Sequence, residues 1–480
     1  MPSSVDRWFQ TVRRLRPVQV ANRFTRRLPK RASVSLPAVR ERAGIWTEGT
    51  GFQPEEMTRE SRLRDYLAHY HYCPGAAAIS QWIGANPPAA GTGWEPYPVS
   101  LRTVNWVKWL LEGEGEPDGM LPSLAGQIAH LSGNVEYHLL ANHLFANAKA
   151  LVFGGAFFQR NGWLDQGLKI LRKEVAEQIC ADGGHFERSP MYHCLILEDL
   201  LDLVNLGNAY PGLLPDWRGP AARMLGWLRE MTHPDGRIAF FNDATFGAAP
   251  EPEMLFDYAS RLGVAPVETG LSDSGYVRLE NEESVVLSDA GPVGPDYQPG
   301  HAHCDTLSFE LSHRGKRVLV NSGISTYERD AERHEQRSTA AHNTVVVDGE
   351  EQSEIWAAFR VARRAYPLDV KTDGRTWVEA AHNGYRRLPS PVTHRRRLEL
   401  KKDRLLVSDT LEGRGVHSAA VHFHQHPEAS AAIELDAQLE RGERATGWQP
   451  GFDRSVPNRT VTGHWSGECP ATFLTKIILP

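Results

Sequence analysis

The pattern of hydrophobic and polar positions divides the chain into two halves with different periods. From about residue 55 to 265, apolar residues recur every three or four positions, as they do on one face of an α-helix. Beyond about residue 273 they alternate with polar residues, as in half-buried β-strands, and no helical pattern interrupts them. The sequence therefore predicts antiparallel helix pairs followed by an antiparallel β-sandwich rather than a parallel sheet.

Local signals give the expected ends of these elements. Ser189 can cap a helix whose first residue is Pro190, and Gly207 follows the last periodic position of that helix. In the second half, the segments HRGK and KKDR are typical of hairpin turns. We expect the change from helices to strands near residues 265–275. The three predicted parts are a basic amino-terminal arm or helix, a helical domain and a β-sandwich domain, over residues 1–50, 51–270 and 271–480.

Composition narrows the class of protein. The chain is 41% hydrophobic and 23% charged, and no apolar run approaches the roughly 20 residues that a membrane-spanning helix needs. Its five cysteines are odd in number and widely spread, which predicts neither a disulfide framework nor a zinc knuckle. The amino terminus lacks the apolar region and cleavage site of a secretory signal, so we expect a cytoplasmic location.

The formal charge of −6 conceals a basic amino-terminal arm. Residues 1–33 hold nine Lys or Arg against one acid, Asp6. Such an arm can contact an anionic polymer or the surface of a membrane, and we expect no nucleic-acid partner. The alternative is an amphipathic helix that packs on the body of the protein. Its apolar face would comprise Trp8, Phe9, Val12, Leu15 and Val18.

A His-x-His-x-Asp cluster lies just ahead of an alternating apolar strand, in the segment PGHAHCDTLSFELS over residues 299–312. In an extended chain, His301, His303 and Asp305 would point to one face. A metal site, an acid/base site and an ordinary strand face are all compatible with this pattern. Downstream, Asn321 and His342 can converge on His303, and two imidazoles with one oxygen ligand would suit zinc, although Asn is a poorer ligand than Asp.

Two further clusters lie in the helical half. In NVEYHLLANHLFANAKAL, Asn142 and His143 interrupt an apolar helical pattern, which also fits a hydrogen-bonded polar pair in the core. In DGGHFERSPMYH, Tyr192 and His193 occupy the first turn of a capped helix. The partial positive charge there would help a Tyr hydroxyl, which ordinarily titrates near pH 10, to lose its proton. The alternative is a buried Tyr that bonds its own loop.

Six segments, taken in order, resemble the heparinase II/III family of polysaccharide lyases. They are ANHLFANAKALVFGGAFF, DGGHFERSPMYH, FFNDA, HAHCDTLSFEL, VNSGISTYE and HNTVVVDGEEQSEIWAAFR. The resemblance implies an incomplete α/α toroid followed by an antiparallel β-sandwich, in agreement with the change of period. It also implies β-elimination at a uronic-acid residue of an acidic glycan. The start, with RPVQV, is similar to members that suggest a role beside surface-polysaccharide production.

The resemblance assigns candidate roles to individual residues. Asn142, with His143 beside it, would neutralise the uronate carboxylate. Tyr192 and His301 would transfer the protons; either can be the base, depending on whether the groups leave syn or anti, and we expect Tyr192 to be the acid. Further substrate contacts are expected from His138, Glu187, His193 and Arg337. A structural metal site, with zinc as the only cofactor considered, would comprise His303, Asn321 and His342, where Asn321 stands in place of an Asp.

Three functional hypotheses follow from the sequence. The first is a lyase of a uronate-containing polysaccharide. The second is a glycan-binding or surface-polysaccharide assembly factor that keeps the fold without turnover, for which the Asn321 departure is the best support. The third is a zinc hydrolase built on the His-x-His-x-Asp cluster, which would require tightly bound metal.

Overall fold

The computed structural model describes residues 4–25, 57–71 and 75–479. Within these ranges helices fill the first half of the chain and strands the second, as the change of period predicts, except that the short helix Ala331–Arg337 interrupts the strands. The helices are α1 (Ser4–Val12), α2 (Pro17–Thr25), α3 (Arg62–Ala68), α4 (Ala76–Ala85), α5 (Pro96–Glu112), α6 (Met120–Gly133), α7 (Ala141–Phe157), α8 (Asn161–Gln178), α9 (Pro190–Ala209), α10 (Arg218–Glu230), α11 (Pro252–Arg261) and α12 (Ala331–Arg337).

The strands follow from residue 276 onward. They are β1 (Tyr276–Glu280), β2 (Ser284–Asp289), β3 (Phe309–His313), β4 (Lys316–Leu319), β5 (Val345–Val347), β6 (Ile355–Trp356), β7 (Arg360–Val361), β8 (Pro367–Thr372), β9 (Trp377–His382), β10 (Val392–Leu400), β11 (Arg404–His424), β12 (Ala432–Glu434), β13 (Glu440–Gly451) and β14 (Arg454–Ile478). A smaller sheet has the order β1-β2-β3-β4, and a larger one has the path β12-β14-β11-β10-β9-β8. β13 also pairs with β14, β5 pairs with β11, and β6 pairs with β7. All these pairs are antiparallel.

The local signals in the sequence place several of these elements. The HRGK turn joins β3 to β4, with Arg314 and Gly315 at φ of 48° and 76°, the left-handed conformation that a tight two-residue turn requires. Ser189 caps α9 by accepting a hydrogen bond from the backbone N–H of Tyr192, and Pro190 is the first residue of that helix. The prediction that this helix ends at Gly207 is wrong, because α9 continues to Ala209.

Each half has its own main hydrophobic core, although Val320 and Trp448 of the second half join the helical one. Helices α5, α7 and α9 bury Trp106, Phe153 and Leu200 in the helical core. The two larger sheets enclose a second core that includes Phe309 and Phe423. The last helix before the strands ends at Arg261 and the first strand begins at Tyr276, an interval that contains the boundary proposed near 265–275.

The amino-terminal arm packs differently from the prediction. Trp8 and Phe9 are 57% and 56% exposed, so they do not anchor the arm, whereas the polar side chains of Thr11 and Gln19 are buried. The part of the predicted arm from residue 26 to residue 50, which includes Arg26 and Arg27, lies outside the described residues, as does Cys73. Among the helices that are described, none is long and apolar enough to cross a membrane.

Candidate active site

The candidate site forms where the first turn of α9 meets the loop before β3. The ring of Tyr192 stacks on the imidazole of His301, with centroids 3.8 Å apart and planes inclined by 28°. The Tyr192 hydroxyl lies 3.1 Å from that of Tyr327. Two residues that the sequence separates widely are thus brought into direct contact, one from each half of the protein.

A carboxyl links this pair to the start of α7. Glu187 Oε2 lies 3.7 Å from His301 Nε2, and Glu187 Oε1 accepts a hydrogen bond of 3.2 Å from the backbone N–H of Asn142. The structure therefore brings Asn142, Glu187, Tyr192 and His301 close to one another. All four are residues that the sequence analysis assigned to the site. His143, the next residue of α7, has a side chain that is 24% exposed.

His301 is held by a residue to which the sequence assigned no role. Its Nδ1 lies 2.8 Å from Asp243 Oδ2. A carboxylate can only accept, so Nδ1 of the neutral imidazole carries the hydrogen and Nε2 keeps its lone pair on the side of Glu187. The His301 side chain is 13% exposed, so the ring is not closed off from solvent.

Asp243 is the centre of a buried charge network. Its carboxylate also lies 2.7 Å from His303 Nε2. It accepts hydrogen bonds from both terminal nitrogens of Arg333, one of them at 2.7 Å. Burial alone would raise the pKa of Asp243, but Arg333 and the hydrogen bonds from His301 and His303 hold it well below its usual range. Asp243 is therefore a fixed negative charge behind His301. The signal in the sequence was the FFNDA segment, whose position in the fold spacing alone could not give.

The His-x-His-x-Asp cluster does not lie on a strand, although its three side chains all reach the segment of Asn242 and Asp243. The first strand after the cluster begins only at Phe309. Instead, His301 and His303 approach opposite oxygens of one carboxylate, that of Asp243. Asp305 orients the loop that carries Asp243, since Asp305 Oδ2 accepts a hydrogen bond of 2.7 Å from the backbone N–H of Asn242.

The electrostatic environment of Tyr192 reverses one prediction. Burial, followed by the neighbouring Tyr327 and Asp243, raises the pKa of Tyr192 well above its ordinary value. The first turn of α9 does not compensate, because the phenol is only 7% exposed and faces another hydroxyl rather than a cation. Tyr192 is therefore a protonated phenol at neutral pH.

Two carboxyl groups near the site have pKa values shifted in opposite directions. Burial raises the pKa of Glu187, against the opposing effect of His301, and Glu187 Oε2 has no hydrogen-bond partner. Burial would also raise the pKa of Glu136, but His143 and Asn147 hold it below its usual value. Glu136 Oε2 lies 3.1 Å from His143 Nδ1. The pKa of Glu187 is thus raised and that of Glu136 lowered, and the sequence had not singled out Glu136.

Two of the four predicted substrate contacts must be revised. His193 is fully buried, stacks on Trp227 with centroids 4.2 Å apart, and lies 3.0 Å from the carbonyl oxygen of Met224 through Nε2. Arg337 is fully buried and donates to backbone carbonyls, including that of Ala302 at 2.9 Å. Neither side chain has a surface for a ligand. His138 lies in the loop before α7, not in the helix, and is 7% exposed.

The predicted metal ligands do not fit a zinc site. Asn321 donates through Nδ2 to the carbonyl of Phe240 at 2.9 Å, and its Oδ1 accepts from the backbone N–H of Asn343 at 3.3 Å. His303 has both ring nitrogens engaged, Nε2 with Asp243 and Nδ1 with His342 Nε2 at 3.3 Å. Zinc needs lone pairs converging on one point. His303 and His342 do face each other, but the third position holds the amide of Asn321, which is bonded to two backbone groups.

One other group of potential metal ligands occurs in the described part of the chain. Single ligand atoms of Cys180, Asp182 and Asp273 lie within 4.8 Å of one another, and these are the only three such residues that do so in the described ranges. The two carboxylates already accept backbone hydrogen bonds, from Ser274 and Ala181 at 2.7 Å each.

The chain matches models of a known protein family. Two family models match the chain: heparinase II/III N-terminus over residues 119–260, and heparinase II/III-like, C-terminal, over residues 268–470. A heparin-sulfate lyase of Bacteroides stercoris is 26% identical over 250 residues, which cover 44% of this chain and 36% of that protein. FtsZ-localized protein C of Caulobacter vibrioides is 30% identical over 317 residues, which cover 59% of this chain and 53% of that protein. The matched part spans about half, or less, of each relative.

Solved structures agree on the architecture. The crystal structure of heparinase III matches with a TM-score of 0.69 at 18% identity, over 86% of this chain and 76% of that one. At such identity the likeness concerns the fold. The predicted order, an incomplete α/α toroid followed by an antiparallel β-sandwich, is confirmed.

Proposed function

Because this chain belongs to the heparinase II/III family, we propose that it is a polysaccharide lyase that cleaves a uronic-acid-containing acidic glycan by β-elimination. The observation that carries the proposal is the stacked pair of Tyr192 and His301: a protonated phenol against an imidazole whose Nδ1 is anchored on Asp243. Proton donor and proton acceptor lie side by side at the junction of the two halves. The similarity to heparin-sulfate lyases supports an acidic glycan as substrate.

The reaction requires two proton transfers on one uronate residue. His301 Nε2 takes the proton from carbon 5, and the electron pair of that bond forms the double bond between carbons 4 and 5 as the bond from carbon 4 to the glycosidic oxygen breaks. Tyr192 gives its hydroxyl proton to the departing oxygen. Asp243 stabilises the positive charge that develops on the imidazole, since its carboxylate is already in contact with Nδ1.

The pKa direction of Tyr192 supports this assignment of roles. A phenol whose pKa is raised keeps its proton at neutral pH, which suits a donor and disfavours a base. The alternative assignment has Tyr192 both abstract and return the proton, with His301 assisting. The two assignments differ in whether the leaving groups are syn or anti, so a pair of substrates with epimeric uronates distinguishes them.

Removal of the carbon 5 proton also requires neutralisation of the uronate carboxylate. We assign this to Asn142 and His143 at the start of α7, together with Glu187. Burial raises the pKa of Glu187, and its protonated form can donate a hydrogen bond to a substrate carboxylate. Its Oε2, which has no protein partner, is the atom available for that bond.

The decisive experiment follows the ultraviolet absorbance of the unsaturated uronate end. The protein is incubated with heparan sulfate, alginate, hyaluronan and bacterial exopolysaccharides. Absorbance that rises with wild type but not with Tyr192→Phe supports the proposal. No rise with any of these glycans counts against turnover and favours the next candidate.

A catalytically inactive glycan-binding or surface-polysaccharide assembly factor is the second candidate. Two observations favour it: the 30% identity to FtsZ-localized protein C, whose name concerns localisation rather than catalysis, and the Asn at position 321. This candidate predicts saturable retention of an acidic glycan on the immobilised protein, without unsaturated ends in the eluted sugar. Unsaturated ends would exclude it.

Contact of the basic arm with a membrane surface and a cytoplasmic location both stay predictions. In the described part of the arm, Arg14 and Arg16 already pair with Asp296 and Glu177 of the body, which reduces the charge available to a membrane. Flotation with anionic and neutral vesicles would test the contact. We assign no step of the reaction to zinc, because Asn321 stands in place of a carboxylate and its amide is bonded to two backbone groups.

A further inference from the structure

Gln19 of the amino-terminal arm lies in the seam between the two loops that carry the candidate site. Its side chain is fully buried. Through Nε2 it donates to the carbonyl oxygen of Leu139 at 3.4 Å and to that of Tyr297 at 3.3 Å. Leu139 comes shortly before Asn142, and Tyr297 shortly before His301. One amide group therefore connects the chain segments that lead into two predicted catalytic residues.

Arg16 fixes the same seam from the side of α8. Its guanidinium pairs with both carboxylate oxygens of Glu177, one of them at 3.1 Å, and lies 3.7 Å from the centre of the Tyr297 ring. The Tyr297 hydroxyl donates to Glu177 Oε1 at 2.9 Å. The backbone N–H of Arg16 in turn donates to Gln19 Oε1 at 2.9 Å. Arg16, Gln19, Glu177 and Tyr297 thus form one closed cluster.

The loop on the helical side needs such support. Leu140 and Ala141 have φ of 66° and 51°, a region that costs free energy for residues other than glycine and persists only where the surroundings hold it. Gln178 Nε2 donates to the carbonyl of Ala141 at 2.9 Å from one side, and Gln19 holds Leu139 from the other. The strained turn leads directly into Asn142.

We propose that the Arg16–Gln19 segment is a positioning element that sets the spacing between Asn142 and His301. It does so without touching a ligand, by tying the loop before α7 to the loop before β3. The proposal accounts for the arginine and the glutamine of the RPVQV run, which the reaction itself does not use. Its kinetic consequence rests on the proposed function, but its structural consequence does not.

The test compares Gln19→Leu with Asn22→Leu in the full chain. Asn22 lies on the same helix, is half-buried, and donates to the carbonyl of Val18 within its own helix, so it is a matched control. Hydrogen exchange followed by mass spectrometry reads the peptides around residues 137–145 and 295–303. We expect Gln19→Leu to speed exchange in both peptides, by about tenfold or more, while strand β11 and the Asn22→Leu protein stay as wild type. Unchanged exchange in both peptides, or a rise that is equal throughout the chain, would overturn the proposal.

A second variant and a kinetic measurement complete the test. If Gln19→Leu does not fold, Arg16→Lys keeps the charge but loses the paired hydrogen bonds to Glu177, and the same two peptides are read. Where wild type shows lyase activity, Gln19→Leu should lower kcat by about 10- to 100-fold with little change in KM, because misplaced reacting groups slow the chemical step. A kcat within twofold of wild type overturns the positioning role. Absence of activity in wild type bears on the proposed function alone, since exchange still reads the seam.

Discussion

Tyr192 and His301 stack with their ring centroids 3.8 Å apart, although Tyr192 begins a helix of the toroid and His301 lies in a loop of the sandwich. The contact uses the faces of the two rings and leaves the Tyr192 hydroxyl beside that of Tyr327. Position and proton donation are therefore separable: the ring places the residue, and the hydroxyl supplies the chemistry.

Tyr192→Phe tests that separation. Phenylalanine keeps the ring that stacks on His301 but has no proton to give to the leaving oxygen. We expect kcat to fall by about 100-fold or more, the range typical of a lost general acid, while the melting temperature stays close to that of wild type. Lyase assays and thermal unfolding measure the two quantities.

Tyr327→Phe is the matched control for the hydroxyl. It removes the partner of the Tyr192 hydroxyl without removing the donor itself. We expect a loss of activity clearly smaller than that of Tyr192→Phe. Equal losses, or an active Tyr192→Phe, would contradict the assignment of Tyr192 as the acid.

Asp243→Asn tests the anchor behind His301. An amide can offer its NH₂ to His301 Nδ1 and so favour the wrong tautomer, and it leaves Arg333 buried without its charge partner. We expect kcat to fall by at least about 100-fold and the free energy of unfolding to fall by about 3–5 kcal/mol. Activity assays and urea unfolding give both values.

Asp305→Asn is the control for the loss of a buried carboxyl in the same loop network. Burial raises the pKa of Asp305 to about 6, whereas that of Asp243 is held well below its usual range, so a neutral amide should be tolerated better in place of Asp305 than in place of Asp243. Its Oδ1 can still accept from the backbone N–H of Asn242. We expect activity within a few-fold of wild type; a loss as large as that of Asp243→Asn would show that the effect is not specific to the His301 anchor.

Short-range patterns were sufficient for much of the fold. The helical period, the alternating period and the HRGK turn each depend on neighbouring residues, and each appears in the structure where the sequence places it. The cap at Ser189 is equally local, because it joins residues three positions apart. The family resemblance then placed Tyr192 and His301 together, which no local pattern could do.

The parts that were missed depend on contacts between distant segments. Asp243 meets His301 and His303 only after the toroid and the sandwich dock, and its charge depends on Arg333 from a third segment. The direction of the Tyr192 pKa shift was missed for a related reason: the helix start favours ionisation, but burial dominates, and burial cannot be read from local spacing.

His193→Gln tests a pH dependence of stability. Burial lowers the pKa of His193 to about 3, whereas an unfolded imidazole titrates near pH 6.5. Between these values the unfolded chain binds a proton that the folded chain does not, so acidification lowers the free energy of unfolding by about 1.4 kcal/mol per pH unit. Without this group, the loss between pH 7 and pH 5 should be smaller by about 2 kcal/mol, as measured by urea unfolding.

The exposed His334 supplies the control, since His334→Gln should leave the pH dependence of unfolding unchanged. We also expect His193→Gln to keep kcat within a few-fold of wild type, because His193 packs on Trp227 away from any ligand. If the two variants show the same pH dependence as wild type, His193 is not neutral in the folded protein.

Asn321→Asp tests whether position 321 is built for an amide or for a metal ligand. The Asn321 Nδ2 donates to the carbonyl of Phe240, so a carboxylate there would face an acceptor and lose the bond. We expect the free energy of unfolding to fall by about 1–3 kcal/mol, and added zinc not to restore it, because the side chain at position 321 faces the Phe240 carbonyl and the backbone N–H of Asn343. Asn281 is half-buried and its Nδ2 also donates to a backbone carbonyl, that of Lys401, so Asn281→Asp serves as the control for the added charge. Thermal unfolding with zinc and with a chelator decides the matter: a melting temperature that zinc raises, in wild type or in Asn321→Asp, would show that these donors do converge on a metal.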